Sequence, residues 1–273
     1  MARKPGARGK QDADGQQGDQ TVRSVSRALD IMALFTDGAN QSRTIGEIVE
    51  ATGLAKTTVI RLLATLESYG LLATTSRGLV PGPGLWRWGF TIHQAWELPE
   101  PARRVMRELA AEHEETVNLY IRRGDTRICV AQEESPLPLR HVVRIGDRLP
   151  LSMGASSKAL LATTDDDVIR RLFDGPAGTD DPAGDAAVEE FVRDVRRCAV
   201  DGFAQSHGER EAGLSAVAVP VMPTPGTVTA ALSFSGPTTR FPADHVPRLA
   251  ARLTEAAATF ASLGFDHPLR TTE

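Results

Sequence analysis

The sequence predicts an α+β protein in two parts, a small helical domain followed by a larger domain built on an antiparallel sheet. Residues 22–80 contain three short amphipathic stretches and then two short β-prone runs, whereas residues 101–263 alternate strand-like and helix-like segments. The length of 273 residues is sufficient for about two domains.

The first part is predicted to contain a helix-turn-helix. Thr44 followed by Glu47 fits a capping box at a helix start, and Gly53 suits a left-handed helix end. A second helix is expected from about Lys56. Its inward positions, at helical spacing, are Val59, Leu62, Leu63 and Leu66.

The outer face of this second helix carries side chains suited to the major groove of DNA. Thr57, Thr58 and Arg61 lie together there; threonine contacts base edges or a thymine methyl, and arginine forks onto guanine. Lys56 is expected to meet phosphate. Taken alone, the helix pair leaves open an ordinary solvated face.

The flanking segments complete a winged helix-turn-helix over residues 21–81. Ala73–Val80 is predicted to form a hairpin, the wing, with Arg77 at its tip. Before Thr44, residues 22–35 supply a third packing helix through an apolar face that comprises Val25, Leu29, Met32, Leu34 and Phe35. Arg27 and Thr44 join the DNA-binding candidates. A protein-interaction module with a vestigial winged helix is disfavoured by Thr57, Thr58, Arg61 and Arg77.

Charge separates the two parts. Residues 1–96 carry 11 basic against 8 acidic residues, and the remainder carries 20 against 27. A basic N-terminal part followed by an acidic C-terminal part is typical of a DNA-binding domain joined to another domain. No apolar run approaches the about 20 residues that span a bilayer, so we expect a cytoplasmic protein with no membrane partner. Residues 1–20 are predicted to be a disordered tail.

No catalytic or metal site is indicated. The six histidines never pair at ligand spacing, and the acidic run 165–167 is explained by the dipole of a helix that it begins. Cys129 and Cys198 show no metal spacing and are expected to be reduced core thiols, with a disulfide as the alternative. We predict no cofactor and no enzyme. Catalysis by the second domain remains the alternative function.

The second part begins with a helix over 101–115 and a hairpin of 116–123 with 126–132 around Gly124 and Asp125. Extended pieces are expected at 141–145 and 149–151, and a surface loop at 175–184. Helices are predicted at 157–162, 165–173, 187–200 and 243–263, and strands at 216–222 and 228–235.

Two segments are candidates for binding a small molecule. Ser233 and Ser235 are two apart on a predicted strand, so both hydroxyls face one side. Residues 153–157 precede a helix, where backbone N–H groups could hold a carboxylate without any basic side chain. Alternatively, Ser156 caps the helix, and Ser233 and Ser235 bond to neighbouring strands.

From Val22 to Gly264 the chain resembles IclR-type transcriptional regulators. The segments that carry the resemblance are 24–32, 55–66, 146–161, 202–213 and 231–237. The resemblance implies a GAF-like effector domain over 98–265, followed by a tail at 266–273. It implies an effector bound between the two segments above, by Met153, Gly154, Ala155, Ser156, Ser206, Leu214, Ala216, Ser233 and Ser235.

The resemblance also implies a linker helix at 82–97 that packs on its counterpart in a dimer or a dimer of dimers. Trp86, Trp88 and Trp96 all lie in this segment. The alternative is that these aromatics pack on the neighbouring domain. Dimerisation would let two recognition helices read a pair of half-sites on operator DNA.

One departure from the family bears on the ligand. The branch that senses glyoxylate or pyruvate has an acidic residue and a cysteine where this chain has Ser206 and Ala216. We therefore expect a less polar effector, an aromatic or aliphatic acid. The predicted function is sequence-specific DNA binding whose operator affinity is controlled by this small organic acid or aromatic metabolite.

Overall fold

The computed structural model describes residues 22–36, 42–174 and 182–271. The chain divides into two compact units, with the boundary between Ala95 and Trp96. The predicted disordered tail at 1–20 lies outside the described residues, as does most of the predicted loop at 175–184.

Unit 1 contains four helices and a two-stranded sheet among its described residues. They are α1 (Arg23–Ala33), α2 (Ile45–Thr52), α3 (Lys56–Ser68), β1 (Leu72–Thr75), β2 (Gly78–Pro81) and α4 (Gly84–Ala95). The capping box is confirmed, because the Thr44 N–H donates to Glu47 Oε2 (2.6 Å) and the Glu47 N–H donates to Thr44 Oγ1 (3.3 Å). Gly53 ends α2 in the left-handed region, at φ 64°.

The core of unit 1 joins the three helices to the wing. Its fully or nearly buried side chains are Ile31, Ile48, Val59, Leu63, Leu66, Leu72 and Leu79. The expected α1 face is partly wrong, because Val25 and Leu29 are 54% and 61% exposed. Two apolar stripes run along α1, and the packed stripe contains Ala28, Ile31 and Met32 at the i, i+3, i+4 spacing of one helix face. Leu34 and Phe35, just after the helix, pack against the same core as predicted.

The wing has the predicted hairpin form. β1 and β2 pair antiparallel with Thr75 opposite Gly78. Arg43 adds a short bridge that the sequence did not predict: its N–H donates to the carbonyl of Leu79 (2.9 Å), and its carbonyl accepts from the Leu79 N–H (2.8 Å). The segment before α2 is thereby tied to the wing.

Unit 2 is an α+β domain, as predicted. Its helices are α5 (Glu100–His113), α6 (Ala155–Leu160), α7 (Asp166–Arg171), α8 (Pro182–Asp201) and α9 (Val246–Ser262). Its strands are β3 (Thr116–Arg123), β4 (Thr126–Glu133), β5 (Arg148–Pro150), β6 (Ala204–His207), β7 (Leu214–Val221) and β8 (Ala230–Pro237). They form one antiparallel sheet in the order β5-β4-β3-β8-β7-β6.

Three expectations for unit 2 are wrong in detail. Residues 141–145 form no strand, β6 was not predicted, and α8 begins inside the predicted loop, at Pro182. Proline suits the first turn of a helix because the N–H groups there have no partner within the helix. β6 is only four residues long, and one of its two buried positions is the polar Ser206, so its sequence shows no alternation of apolar and polar residues.

The sheet of unit 2 has two packed faces. α5 and α9 cover one face, where Leu232 and Phe234 are buried. α6 and α8 cover the other face, where Tyr120, Cys129 and Ala231 are buried. Ser233 and Ser235 lie on this second face, as the strand alternation predicts. Cys129 and Cys198 are both free and buried.

Trp96 does not belong to the linker helix that was predicted at 82–97. It follows α4, and its ring packs against those of Phe265 (6.3 Å between ring centroids) and His267 (4.1 Å). Trp96 therefore belongs to the core of unit 2, because this contact removes an aromatic surface from water. The alternative in which the aromatics pack on the neighbouring domain holds for this tryptophan.

The predicted tail is also shorter than expected. The Gly124 N–H donates to Thr271 Oγ1 (2.9 Å), and the Thr271 N–H donates to the carbonyl of Arg122 (3.2 Å). Residues up to 271 thus pack on the β3–β4 hairpin. In the part of the chain that the structure describes, every helix is too short or too polar to cross a membrane.

Gly82 provides a test of how the wing is joined to α4. A Cβ at this position would lie 2.3 Å from the carbonyl oxygen of Gly70. Gly82→Ala is therefore expected to lower the free energy of unfolding by about 1–3 kcal/mol, a typical cost of overpacking. The measurement is urea unfolding of the full chain.

Gly89→Ala is the matched control, because a Cβ there meets nothing within 4 Å. It should leave stability unchanged or raise it by up to about 1 kcal/mol, since alanine favours a helix. Equal stability of the two variants would show that the close approach at Gly82 is not a constraint.

Candidate functional site

The predicted DNA-binding residues lie on the surface of unit 1. Lys56, Thr57 and Arg61 are exposed on α3, and Thr58 is half-buried. Arg77 is exposed in the turn between β1 and β2. α3 and the wing thus both present basic side chains to solvent.

Arg27 and Thr44 differ in what they offer. Arg27 is exposed on α1, whereas the Thr44 hydroxyl is already used in the cap of α2, where it donates to Glu47 Oε2 (2.9 Å). Within the described ranges, the basic side chains Arg27, Lys56, Arg61 and Arg77 are in no salt bridge. Their charges are therefore available to phosphate.

A cleft in unit 2 brings together eight of the nine predicted effector-binding residues. It encloses about 410 Å³, including its open mouth, between α6 and strands β6, β7 and β8. The predicted residues in its wall are Gly154, Ala155, Ser156, Ser206, Leu214, Ala216, Ser233 and Ser235. Met153 does not line the cleft.

Strand register explains why distant residues meet here. Ser206 pairs with Ala216, and Ala216 pairs with Ser235, so these three form one row across β6, β7 and β8. Ser233 pairs with Asn118 in the next row. Directly opposed residues on one sheet face have neighbouring side chains. The row therefore builds a continuous wall from three strands.

Five wall residues were missed in the sequence. They are Tyr120, Arg127, His141, Glu209 and Arg210. Strand alternation could have identified Arg127, because its neighbour Ile128 faces the α5 and α9 core and Arg127 must then face the cleft. His141 and Arg210 lie on irregular segments, where no periodicity indicates direction.

Arg127 is the central charge of the cleft. The residue is 4% exposed. Its Nη1 donates to the carbonyl of Met153 (2.7 Å), and also to the carbonyl of Pro150 and to Ser157 Oγ. Its guanidinium lies 5.5 Å from the Tyr120 ring centroid. Burial lowers the pKa of Arg127 to about 10, so the side chain stays positive at neutral pH.

The possibility that backbone N–H groups before α6 act there without a basic side chain does not fit the surroundings of this turn. The N–H of Gly154, before α6, already donates to Glu209 Oε2 (2.8 Å). Arg127 lies beside this turn, since a Cβ on Gly154 would stand 3.2 Å from Arg127 Nη2. Two charged side chains thus occupy the place where backbone amides alone were expected.

The structural alternatives for the serines are partly correct. Ser156 lies inside α6, after the N-cap Gly154, so it does not cap the helix. Ser235 Oγ does bond to the neighbouring strand, where it accepts from Asn118 Nδ2 (2.9 Å). Ser233 Oγ lies 3.5 Å from the Asn118 carbonyl, a weak contact.

Glu209 is fixed by a buried lysine. Lys158 Nζ donates to Glu209 Oε1 (2.6 Å), to Asp194 Oδ2 (2.8 Å) and to the carbonyl of Gln205 (3.3 Å). The Lys158 side chain is only 4% exposed. These bonds tie the loop after β6 to α6 and α8.

His141 links Arg210 to Ser235. Its Nδ1 lies 2.9 Å from Ser235 Oγ, and Arg210 Nη2 contacts its Nε2. Because a guanidinium only donates, Nε2 must accept and Nδ1 carries the proton. Burial, with the positive charges of Arg210 and Arg127, lowers the pKa of His141 to about 4. The ring is neutral at physiological pH.

No group of three or more potential metal ligands occurs among residues that the structure describes. The charged groups in the wall of the cleft are Arg127, Arg210 and the paired Glu209, a set that suits an anion.

Comparison with known proteins identifies relatives of both units. Residues 24–76 match the IclR helix-turn-helix domain, and residues 91–261 match the C-terminal domain of bacterial transcriptional regulators of the IclR type. The chain is 30% identical over 255 residues to the HTH-type transcriptional regulator BhcR of Paracoccus denitrificans, covering 92% of this chain and 90% of BhcR.

Solved structures agree with this likeness. An IclR transcriptional regulator from Alicyclobacillus acidocaldarius is 30% identical with a TM-score of 0.67, over 90% of this chain and all of that one. An IclR homologue from Microbacterium hydrocarbonoxydans, solved with 4-hydroxybenzoate, has the same TM-score of 0.67 at 20% identity, over 88% of this chain and 98% of its own. The latter shows likeness of fold alone.

The lowered pKa of His141 leads to a pH dependence of stability. The unfolded chain binds a proton on this histidine near pH 6.5, whereas the folded protein does so only near pH 4. Between these two pH values the unfolded chain binds more protons than the folded protein. Lowering the pH through this range therefore stabilises the unfolded state relative to the folded state. The free energy of unfolding should therefore decrease from pH 7 to pH 5.

Urea unfolding at several pH values measures this effect. His141→Gln should flatten the slope, whereas His207→Gln, which changes an exposed ring, should leave the slope as it is in the original chain. An identical slope in both variants would mean that His141 is protonated normally.

Proposed function

Because this chain belongs to the IclR family of bacterial transcriptional regulators, we propose that a small organic acid or aromatic metabolite bound in the unit 2 cleft controls its affinity for operator DNA. The chain is a regulator with a DNA-binding helix-turn-helix and a C-terminal effector domain, and its relatives are named as regulators rather than enzymes. Its site of action is the cytoplasm, where the bacterial chromosome lies.

The cleft around Arg127 is the observation that carries this proposal. Effector-binding residues chosen from two distant segments, such as Ser156 and Ser235, line one concavity. A buried guanidinium in the wall provides a specific polar anchor, and sites for small molecules combine a few such groups with apolar surface.

DNA recognition is assigned to α3 and the wing. Thr57, Thr58 and Arg61 are to read base edges in the major groove, while Lys56 and Arg77 meet phosphate. This division follows from their positions, since Arg61 lies one turn after the start of α3 and Arg77 lies in the turn of the wing. Arg27 is assigned to a contact with the DNA backbone. Thr44 is no longer assigned to DNA, because its N–H and its hydroxyl both donate to Glu47 Oε2 in the cap of α2.

Dimerisation is assigned to α4. Trp86, Trp88, Phe90 and Ile92 on this helix are 81%, 63%, 63% and 66% exposed. So many large apolar side chains on a single helix are typical of an interaction surface. A second copy of the chain is the proposed partner, because one recognition helix reads too few bases, and two helices about 34–36 Å apart read a pair of half-sites. A dimer of dimers extends the same arrangement.

Effector binding would act on DNA through the difference in its affinity for two arrangements of the dimer. Coupling of this kind is typically about 1–3 kcal/mol, or about 5- to 150-fold in operator affinity. The alternatives of an enzymatic second domain or a pure interaction module are not favoured, because both units match regulator domains.

Arg61→Ala tests the recognition helix. The variant should lose about 1–3 kcal/mol of specific binding, because a bidentate arginine contact to guanine is worth that much. The measurement is fluorescence anisotropy with the DNA upstream of the protein's own gene, against an unrelated duplex at matched salt.

Arg104→Ala, which removes an exposed arginine from α5 in unit 2, is the control and should bind as the unaltered protein does. Unchanged preference for the upstream DNA in Arg61→Ala would remove this residue from base recognition.

Trp86→Ser tests the assigned dimer surface. Removal of the most exposed tryptophan should shift the chain from dimer toward monomer, because burial of this ring would contribute roughly 25 cal/mol per Å² of apolar surface. Sedimentation velocity at micromolar concentration measures the shift. Leu139→Ser, at an exposed leucine of unit 2, should have no effect. An original chain that sediments only as a monomer would contradict the dimer.

A further inference from the structure

Arg127 is a buried cation without a carboxylate partner. All of its hydrogen bonds in the described structure come from Nη1 and go to uncharged oxygens, those of Pro150, Met153 and Ser157. Its Nε is buried and has no hydrogen-bond partner. Buried charges in proteins are normally paired, because removing an ion from water is costly. The charge of Arg127 is therefore available to pair with an anion that enters the cleft.

The nearest carboxylates are committed elsewhere. Both oxygens of Glu209 are used, one by Lys158 (2.6 Å) and the other by the Gly154 N–H (2.8 Å). Asp194 is likewise shared between Lys158 (2.8 Å) and Arg197 (3.2 Å). Lys158 and Gly154 thus occupy both oxygens of Glu209, so Glu209 acts on Arg127 through its electrostatic field and forms no hydrogen bond with it in the described structure.

We propose that the effector is a small carboxylate and that Arg127 is the residue that binds its carboxylate group. This inference rests on the proposed function, since it concerns the ligand of the same cleft. It narrows the ligand from an acid or a neutral aromatic metabolite to an anion. A neutral molecule in the cleft would shield Arg127 from water and leave its charge unpaired.

Arg210 is the second cation of the site. It contacts His141 Nε2 across the cleft, and its nearest carboxylate is the exposed Glu211 at 3.9 Å. A carboxylate is a better partner for Arg210 than a neutral imidazole, because it carries the opposite charge and can accept two parallel hydrogen bonds from the guanidinium. Arg210 is therefore the second group expected to contact an anion bound at Arg127.

The rest of the wall specifies the body of the ligand. Tyr120, Leu214 and Ala216 provide apolar surface beside Arg127. Ser235 Oγ accepts from both Asn118 and His141, so its own hydrogen remains free to donate. The geometry fits a monocarboxylate with a short apolar body and a second acceptor.

Matched probe pairs test the requirement for charge. Each pair consists of a carboxylate and its amide: benzoate with benzamide, 4-hydroxybenzoate with 4-hydroxybenzamide, and butyrate with butyramide. The full chain without DNA is heated with each probe at about 10 mM, ten times a millimolar Kd. At least one carboxylate should raise the melting temperature, because a ligand that binds only the folded state stabilises it, and its amide should not.

Substitutions test the residue. Arg127→Met should weaken binding of the stabilising carboxylate, measured by calorimetry, by about 10- to 100-fold, the range for a lost charge-assisted hydrogen bond. Arg127→Lys keeps the charge without the fork and should lose less. Arg148→Met, at an exposed arginine on neighbouring β5, is the matched control and should bind as before.

Arg127 also holds three oxygens of its own domain, so each variant is checked by urea unfolding. If Arg127→Met does not fold, Arg127→Lys and Arg210→Met decide, because Arg210 makes no comparable bonds within the described structure. Both variants should bind the stabilising carboxylate more weakly than the Arg148→Met control does.

The proposal is overturned if an amide binds as tightly as its carboxylate, if no carboxylate stabilises the protein, or if the Arg127 and control variants bind alike. Failure of the proposed function is distinct. It would appear as carboxylate binding that leaves operator affinity unchanged, whereas an operator response to a neutral effector would refute only the present inference.

Discussion

The buried guanidinium of Arg127 is the interaction on which the effector domain depends. From β4 it binds the carbonyls of Pro150 and Met153 and the hydroxyl of Ser157, and so holds the end of β5 and the start of α6 against the sheet. It also requires a glycine at position 154, where φ is 89° and a Cβ would press on Nη2. One side chain thus shapes the floor of the cleft and leaves a positive charge in it.

A second set of charges connects the cleft to the rest of unit 2. Lys158 on α6 holds Glu209 after β6 and Asp194 on α8. Removal of one partner from a buried ion pair is strongly destabilising, because the other charge is left uncompensated. A ligand that repositions Glu209 or Arg210 would therefore also act on α6 and α8. This gives effector binding a physical route from the cleft into the packed helices of the domain.

Local signals in the sequence predicted much of the fold. The capping box at Thr44, the left-handed Gly53 and the β3–β4 hairpin each depend on a few adjacent residues, which is why they were predicted correctly. The outward face of α1 was harder, because two apolar stripes compete on one short helix and only packing selects between them. Trp96 was misplaced for a related reason, since its partners, Phe265 and His267, are far away in sequence.

The residues of the candidate site likewise include some that local patterns predict and some that depend on long-range packing. Alternation placed Ser233 and Ser235 on one face, and the same rule applied to β4 would have found Arg127. His141 and Arg210 come from segments without regular structure, and their meeting depends on long-range packing. The expectation of a less polar effector was based on Ser206 and Ala216 and took no account of Arg127 and Arg210. The structure instead has a cleft in which two arginines face a single glutamate that is already paired.

The central claim is that ligand and DNA binding are coupled, and reciprocity tests it most directly. Calorimetry would measure the Kd of a stabilising carboxylate for the free protein and for the protein saturated with its upstream DNA. The account predicts that the two values differ by about 5- to 150-fold, and that the ligand changes the DNA affinity by the same factor. Equal values for free and DNA-bound protein would contradict it.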